Sequence, residues 1–166
     1  MKDREIRKIL INYILASNSK VRIYQEKSIG DSICDVMAVT DALTGYEIKS
    51  DSDDYSRLDR QIEAYNVFFD RNYLVVTEGR RESAVERIPA FWGIIIIQQD
   101  NVEVLRKAVV NRKVSRQSQL DVLWKLELKN ILVKNSMSMY AQKSKEYIIG
   151  RIIDHVDHEV LGEQIA

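Results

Sequence analysis

The sequence predicts an α/β protein in which a mixed β-sheet is flanked by helices. Three observations carry that expectation. Ile6, Ile9, Leu10, Tyr13 and Ile14 recur with helical spacing. Runs rich in β-formers occupy 33–40, 44–49, 72–77 and 91–98. Segments of helical period separate and follow those runs.

Taken in order, Asp3 to Ala16 reads as an amphipathic first helix, and Val21 to Glu26 alternates as a short strand. Ile33 to Thr40 and Thr44 to Lys49 flank DALTG, a turn ending in Gly45, and so read as a hairpin. SDSDD then supplies N-cap candidates and first-turn acids for a helix over Tyr55 to Phe69, since side-chain oxygens satisfy the free N–H groups of a first turn. Asn72 to Thr77 reads as a buried strand, Arg81 to Arg87 as a short helix stopped by Pro89, and Phe91 to Gln98 as another buried strand. Val102 to Val110 fits either strand or helix. Leu120, Leu123, Trp124, Leu126 and Ile131 give Gln119 to Val133 a helical pattern, and Met137 to Ile165 holds one or two further helices. A chain of 166 residues is expected to form one domain over 1–166, helical in its C-terminal part from about residue 117.

Composition narrows the class. Hydrophobic residues make up 45% and charged residues 30%, as in a water-soluble fold, and a formal net charge of zero argues against a general polyanion binder. The charge is unevenly spread: 31–70 holds ten acids and three bases, whereas 101–150 holds four acids and ten bases. A neutral chain of this kind can still meet phosphates locally. The single cysteine, Cys34, rules out an internal disulfide and a cysteine zinc cluster, and its apolar neighbours mark it as a small buried hydrophobe. No run approaches the roughly 20 apolar residues of a spanning helix, and no leader opens the chain, so the expectation is a cytoplasmic protein with no membrane partner.

The charges that resist a bland account sit inside the strands. Side chains alternate between faces, so Asp35 shares a side with Met37 and Val39, and Glu47 shares one with Lys49. If Thr40 pairs with Thr44, Asp35 lies opposite Lys49 with Glu47 on the diagonal, and any even change of register keeps all three on one face. Two carboxylates at cross-strand or diagonal separation, roughly 4.5–8 Å at Cβ, can share one hard cation. The ammonium beside them offsets part of their repulsion. On the following helix Arg57, Gln61 and Tyr65 stack at four-residue spacing beside an apolar stripe of Leu58, Ile62 and Phe69. The competing readings are a solvated, salt-bridged edge hairpin for the strand charges and an ordinary helix surface for Gln61 and Tyr65.

Together, Asp35, EIK at 47–49 and the Gln61 and Tyr65 of RLDRQIEAY resemble the PD-(D/E)XK nuclease superfamily, the restriction-endonuclease-like fold, in its RecB-like branch with a Q-x-x-x-Y helix. The wider pattern, from Glu26 through GYEIKSD to the later IPAFWGI and LWKLEL, is similar to a compact bacterial family of that branch. The proline of the superfamily's name is missing; Cys34 stands before Asp35. The resemblance implies a restriction-endonuclease-like mixed sheet and a Mg2+-dependent deoxyribonuclease. In it Asp35 and Glu47 would bind Mg2+ or Mn2+, with the Ile48 carbonyl as a backbone ligand and Glu26 as a further acidic one. Lys49 would position or help deprotonate the attacking water, Gln61 and Tyr65 would orient the site or hold substrate, and Arg57 would contact phosphate or pair with Asp53 or Asp54. A homodimer is the expected assembly if duplex DNA is cut. A rival expectation keeps the fold without catalysis, as a module gripping nucleic acid or protein; a third is an adaptor in a repair or phage-defence system.

Elsewhere, Arg106, Lys107, Arg112, Lys113 and Arg116 form a basic run with no acid from Val104 through Leu120, a candidate track for a nucleic-acid backbone or a set of solvated loop charges. Trp92 and Trp124 sit among apolar neighbours that favour core packing over base stacking. His155 and His158 have metal-compatible spacing but no third ligand, which favours a solvated helix.

Overall fold

Six strands form one mixed sheet in sequence order: β1 (Arg22–Ile29), β2 (Ser32–Val39), β3 (Leu43–Lys49), β4 (Arg71–Thr77), β5 (Gly93–Gln98) and β6 (Asn101–Arg106). The structure is a computed structural model that describes residues 1–166. β3, β4 and β5 run parallel, and the β1–β2, β2–β3 and β5–β6 pairs are antiparallel. Loop length dictates this pattern. Tight turns between antiparallel neighbours leave no room for a crossover, whereas the two parallel pairings are bridged by segments that carry α2 (Leu58–Phe68) and α3 (Arg81–Arg87). The sheet stays open, with β1 and β6 as its edges. The expected α/β class with a helix-flanked mixed sheet is therefore what the chain adopts.

Alternation along the strands decides what each face buries. On one side Ile6, Leu10 and Ile14 of α1 (Asp3–Ser17) pack on Val36, Ala38, Ile48, Val75, Ile95 and Ile97. The residues between them in β2 and β3, Asp35, Glu47 and Lys49, turn to the side covered by α2, whose buried positions are Leu58, Ile62, Tyr65 and Phe68. Gly30, at φ +60°, opens the two-residue turn between Ile29 and Ser32.

Several boundaries differ from expectation. The β2–β3 ladder pairs Ala38 with Thr44 and Val39 with Leu43, two residues away from the register that pairs Thr40 with Thr44. The reversal occupies Thr40 to Ala42, and Gly45 lies within β3 rather than ending the turn. Gly45 is there because a Cβ would overlap the Phe69 ring. The helix expected from Tyr55 starts at Leu58, because the SDSDD acids build the preceding turn instead. Asp53 Oδ2 accepts from the Ser50 N–H and hydroxyl at 2.8 and 2.7 Å, and Asp54 Oδ1 accepts from the Ser56 N–H at 2.9 Å.

Met1–Val114 and Ser115–Ala166 are two compact units. The second consists of α4 (Arg116–Asp121), α5 (Lys125–Lys134), α6 (Lys145–His155) and α7 (His158–Ile165). The single helix read over Gln119 to Val133 is broken, since Trp124 adopts extended geometry (φ −74°, ψ 155°) and its N–H is capped by Glu127 Oε2 at 2.6 Å. Ser115, Ser144 and Asp157 each accept N–H bonds at the starts of α4, α6 and α7. Leu120, Leu128, Ile131, Leu132, Ile148, Ile149, Ile152 and Leu161 are buried. No helix is long and apolar enough to cross a membrane.

Candidate active site

The site begins where two strands part. β2 continues to Ser32 on its β1 side and β3 continues to Lys49 on its β4 side, yet their mutual ladder stops at Val36–Tyr46. Backbone groups in the fork must find other partners. The Asp35 N–H donates to the Tyr65 hydroxyl at 3.3 Å, the Asp35 carbonyl accepts from Arg7 Nη1 at 2.7 Å, and the Ile48 N–H donates to Asp35 Oδ2 at 2.8 Å. Continued by one step, the observed register sets Asp35 opposite Glu47, not opposite Lys49 as the expected turn would have it. The change is even, so the three groups stay on one face.

Glu47 is the centre of the cluster and is 1% exposed. Its Oε1 accepts from Gln61 Nε2 at 2.5 Å and is ion-paired with Lys49 Nζ at 3.0 Å, while its Oε2 accepts from the Tyr65 hydroxyl at 2.8 Å. Gln61 Oε1 in turn accepts from Lys49 Nζ at 2.8 Å. The Gln61 and Tyr65 side chains stand one helical turn apart on α2, which is why both reach the same carboxylate. Burial above all, and then the nearby Asp35 charge, push the Glu47 carboxyl up to about 7 against the opposing pull of Lys49. Burial likewise raises Asp35, opposed by the Ile48 N–H and by Arg7, and raises Tyr65 well above its ordinary range.

Of the residues expected at this site, Asp35, Glu47, Lys49, Gln61 and Tyr65 converge, and Ile48 meets them through its N–H. Glu26 does not join them as a ligand. It is exposed, in left-handed geometry at φ 52°, where it interrupts the β1–β2 ladder. Its charge reaches the site through the field it exerts on Arg7. Arg57 is exposed at the N-cap of α2, one turn before Gln61, and makes no side-chain cap. Arg7 is the participant that sequence reasoning misses. The Asp3–Arg7 spacing on α1 is a visible signal for an ion pair, but nothing local shows that α1 delivers this guanidinium to Asp35.

The basic run divides by environment. Lys107, Arg112 and Lys113 are exposed. Arg106 does not belong to a free basic track, because its Nε donates to the Trp92 carbonyl at 2.7 Å and its Nη2 to the Pro89 carbonyl at 3.1 Å. Arg116 is likewise committed, with Nε on the His158 carbonyl at 3.0 Å and Nη1 on Gln119 Oε1 at 2.7 Å. Trp92 is fully buried as expected, its Nε1 donating to Asn66 Oδ1 at 2.7 Å, whereas Trp124 is 79% exposed and contradicts the expected core placement. His155 and His158 are exposed on successive helices.

No three or more His, Cys, Asp or Glu side chains are arranged so that together they could hold a metal ion. A cation at the fork would rest on two carboxylates, with backbone oxygen or water completing its shell. That all-oxygen donor set suits Mg2+ or Mn2+, which commonly take one or two protein carboxylates and keep several waters. The electrostatics agree, since Asp35 raises Glu47 and a divalent charge between them would relieve that repulsion.

Comparison with known proteins adds the following. The profile of the family described as bacteriophage P4 protein cII matches residues 1–165. No curated protein matches. Among solved structures, the SPO1766 protein of unknown function from Silicibacter pomeroyi aligns at TM-score 0.47 and 23% identity, over 59% of this chain and 66% of that one.

Proposed function

The chain belongs to the bacteriophage P4 protein cII family, and we propose that it is a metal-dependent nuclease that hydrolyses phosphodiester bonds of DNA on a PD-(D/E)XK-like fold. The observation that carries the proposal is the burial of Glu47, 1% exposed and 3.0 Å from Lys49, beside a second carboxylate in a fork of the sheet. Well-packed apolar residues are often as stable as a buried ionic cluster or more so. A use other than stability is the simplest reason to keep this one.

Asp35 and Glu47 would hold Mg2+ or Mn2+, which when bound acidifies a water and stabilises charge on the phosphate. The rest falls to the chain's own groups. Lys49 is the cation positioned to orient a water and offset phosphate charge. Gln61 and Tyr65 act through Glu47, each fixing one of its oxygens. Purified protein supplied with Mg2+ or Mn2+ should nick or degrade DNA, and Glu47→Gln and Lys49→Ala should each reduce the rate by at least about 100-fold with the circular dichroism spectrum unchanged. Cleavage that survives both substitutions would refute the assignment.

A different observation favours a second reading. Every oxygen of the two carboxylates already meets an internal donor: Ile48 and Arg7 at Asp35, and Gln61, Lys49 and Tyr65 at Glu47. A closed set of this kind suits a catalytically silent module that keeps the fold and grips nucleic acid or a protein partner. Calorimetric titration with Mn2+ separates the two, because only the nuclease requires a cation at the fork.

A further inference from the structure

α1 brings to the fork a cation that the strand and helix motif does not contain. Arg7 Nη1 donates to the Asp35 carbonyl at 2.7 Å, and Nη2 stands 3.3 Å from Asp35 Oδ1. The same guanidinium faces Asp3 on its own helix, with Nε and Nη2 at 3.2 and 3.1 Å from Asp3 Oδ1. Arg7 is largely buried, its side chain 13% exposed, whereas Asp3 is 43% exposed. One guanidinium is thus shared between two carboxylates, and its contacts are unequal. Of the three groups it serves, the Asp35 carboxylate is held at the longest distance. That contact can be surrendered while those to the Asp35 carbonyl and Asp3 persist.

We infer that Arg7 is a built-in counter-ion of Asp35 that a divalent cation must displace, and that Asp3 is the acceptor that receives it. The inference rests on the cation site proposed above and concerns its regulation. Arg7 neutralises Asp35 while the fork is free of metal, which removes the cost of a half-buried lone carboxylate. It also opposes a second positive charge at the same oxygen, so cation affinity is set by how readily Asp3 takes the guanidinium. Neither Asp3 nor Arg7 would contact substrate in this role; both are positioning residues.

The test is Mn2+ calorimetry on the full chain, without DNA, for the wild type, Arg7→Gln, Asp3→Asn and the double variant. Arg7→Gln should bind Mn2+ about ten-fold more tightly, as removal of one charge a few ångströms away implies. Asp3→Asn should bind more weakly, and that weakening should vanish in the Arg7→Gln background, since Asp3 then has nothing to receive. Arg7→Lys, which keeps the charge, should bind like the wild type and serves as the folded control if Arg7→Gln melts early. Equal Mn2+ affinity in all variants, or an Asp3→Asn effect that persists without Arg7, overturns the inference while leaving the cation site standing. Absence of Mn2+ binding in every variant removes the cation site itself.

Discussion

Glu47 concentrates the conflict between burial and charge, and pH is the lever that exposes it. In the unfolded chain its carboxyl titrates near the ordinary 4.5, and in the folded protein near 7. Between those values the native state holds the extra proton, so stability falls as pH rises from 4.5 to 7 and then levels off. Asp35, also raised, adds to the slope in the same direction. A shift of this size amounts to about 3 kcal/mol across the window. Thermal melts in chelator-containing buffer should show a lower Tm at about pH 8, above that window, than at about pH 5, near its lower end, and Glu47→Gln should flatten most of that dependence. A wild-type Tm that rises over the interval would contradict the burial of a charged Glu47. The neighbouring Cys34, fully buried with its thiol pushed up to about 12, should resist alkylating reagents in the native state and react on unfolding. The convergence of Asp35, Glu47 and Lys49 is legible in the sequence because face sharing depends on parity alone, which survives a two-residue error of register. Arg7 is not, because its role arises from where α1 lies against β2, a tertiary fact with no local signature.

At the scale of elements, the hairpin shows what sequence patterns omit. Glycine near the middle of an apolar run reads as a turn, yet Gly45 is a strand residue whose missing side chain makes room for Phe69. The reversal is made instead by Thr40 to Ala42, where the Thr40 N–H donates to the Ala42 carbonyl at 3.2 Å. Gly45→Ala should therefore destabilise the protein by about 1–3 kcal/mol through overpacking. Gly79→Ala, where nothing lies within 4 Å of the added carbon, should have little effect. Urea unfolding of the two variants measures the contrast, and equal midpoints would mean that Phe69 yields without cost. Similarly, the acids of SDSDD are legible as turn-formers or caps but not as one over the other. The choice follows from Ser50, whose N–H and hydroxyl take Asp53 before the helix can. The break between α4 and α5 is hidden for a related reason: apolar periodicity runs straight through Trp124, and only the backbone shows the helix stopping there.

At the scale of the whole molecule, 25 bases balance 25 acids, so any grip on DNA must come from a local surface rather than from net charge. The basic run supplies one only in part. Lys107, Arg112 and Lys113 are exposed, whereas the Arg106 guanidinium is spent on the Pro89 and Trp92 carbonyls. This division yields a prediction that separates phosphate contact from structural support. If the exposed three track a backbone, replacing each by Gln should reduce the slope of log Kobs against log[salt] by about 0.9 for every duplex phosphate left without its cation, with Tm unchanged. Arg106→Gln should do the reverse, leaving the slope intact while lowering Tm, since two carbonyls are deprived of their donor. Fluorescence anisotropy with a labelled duplex, repeated from about 50 to 200 mM salt, reads the slope, and a melt of the same samples reads Tm. A slope insensitive to all three exposed residues would move the DNA-binding face away from this run, and Arg57, exposed one turn before Gln61 on α2, would be the next residue to replace.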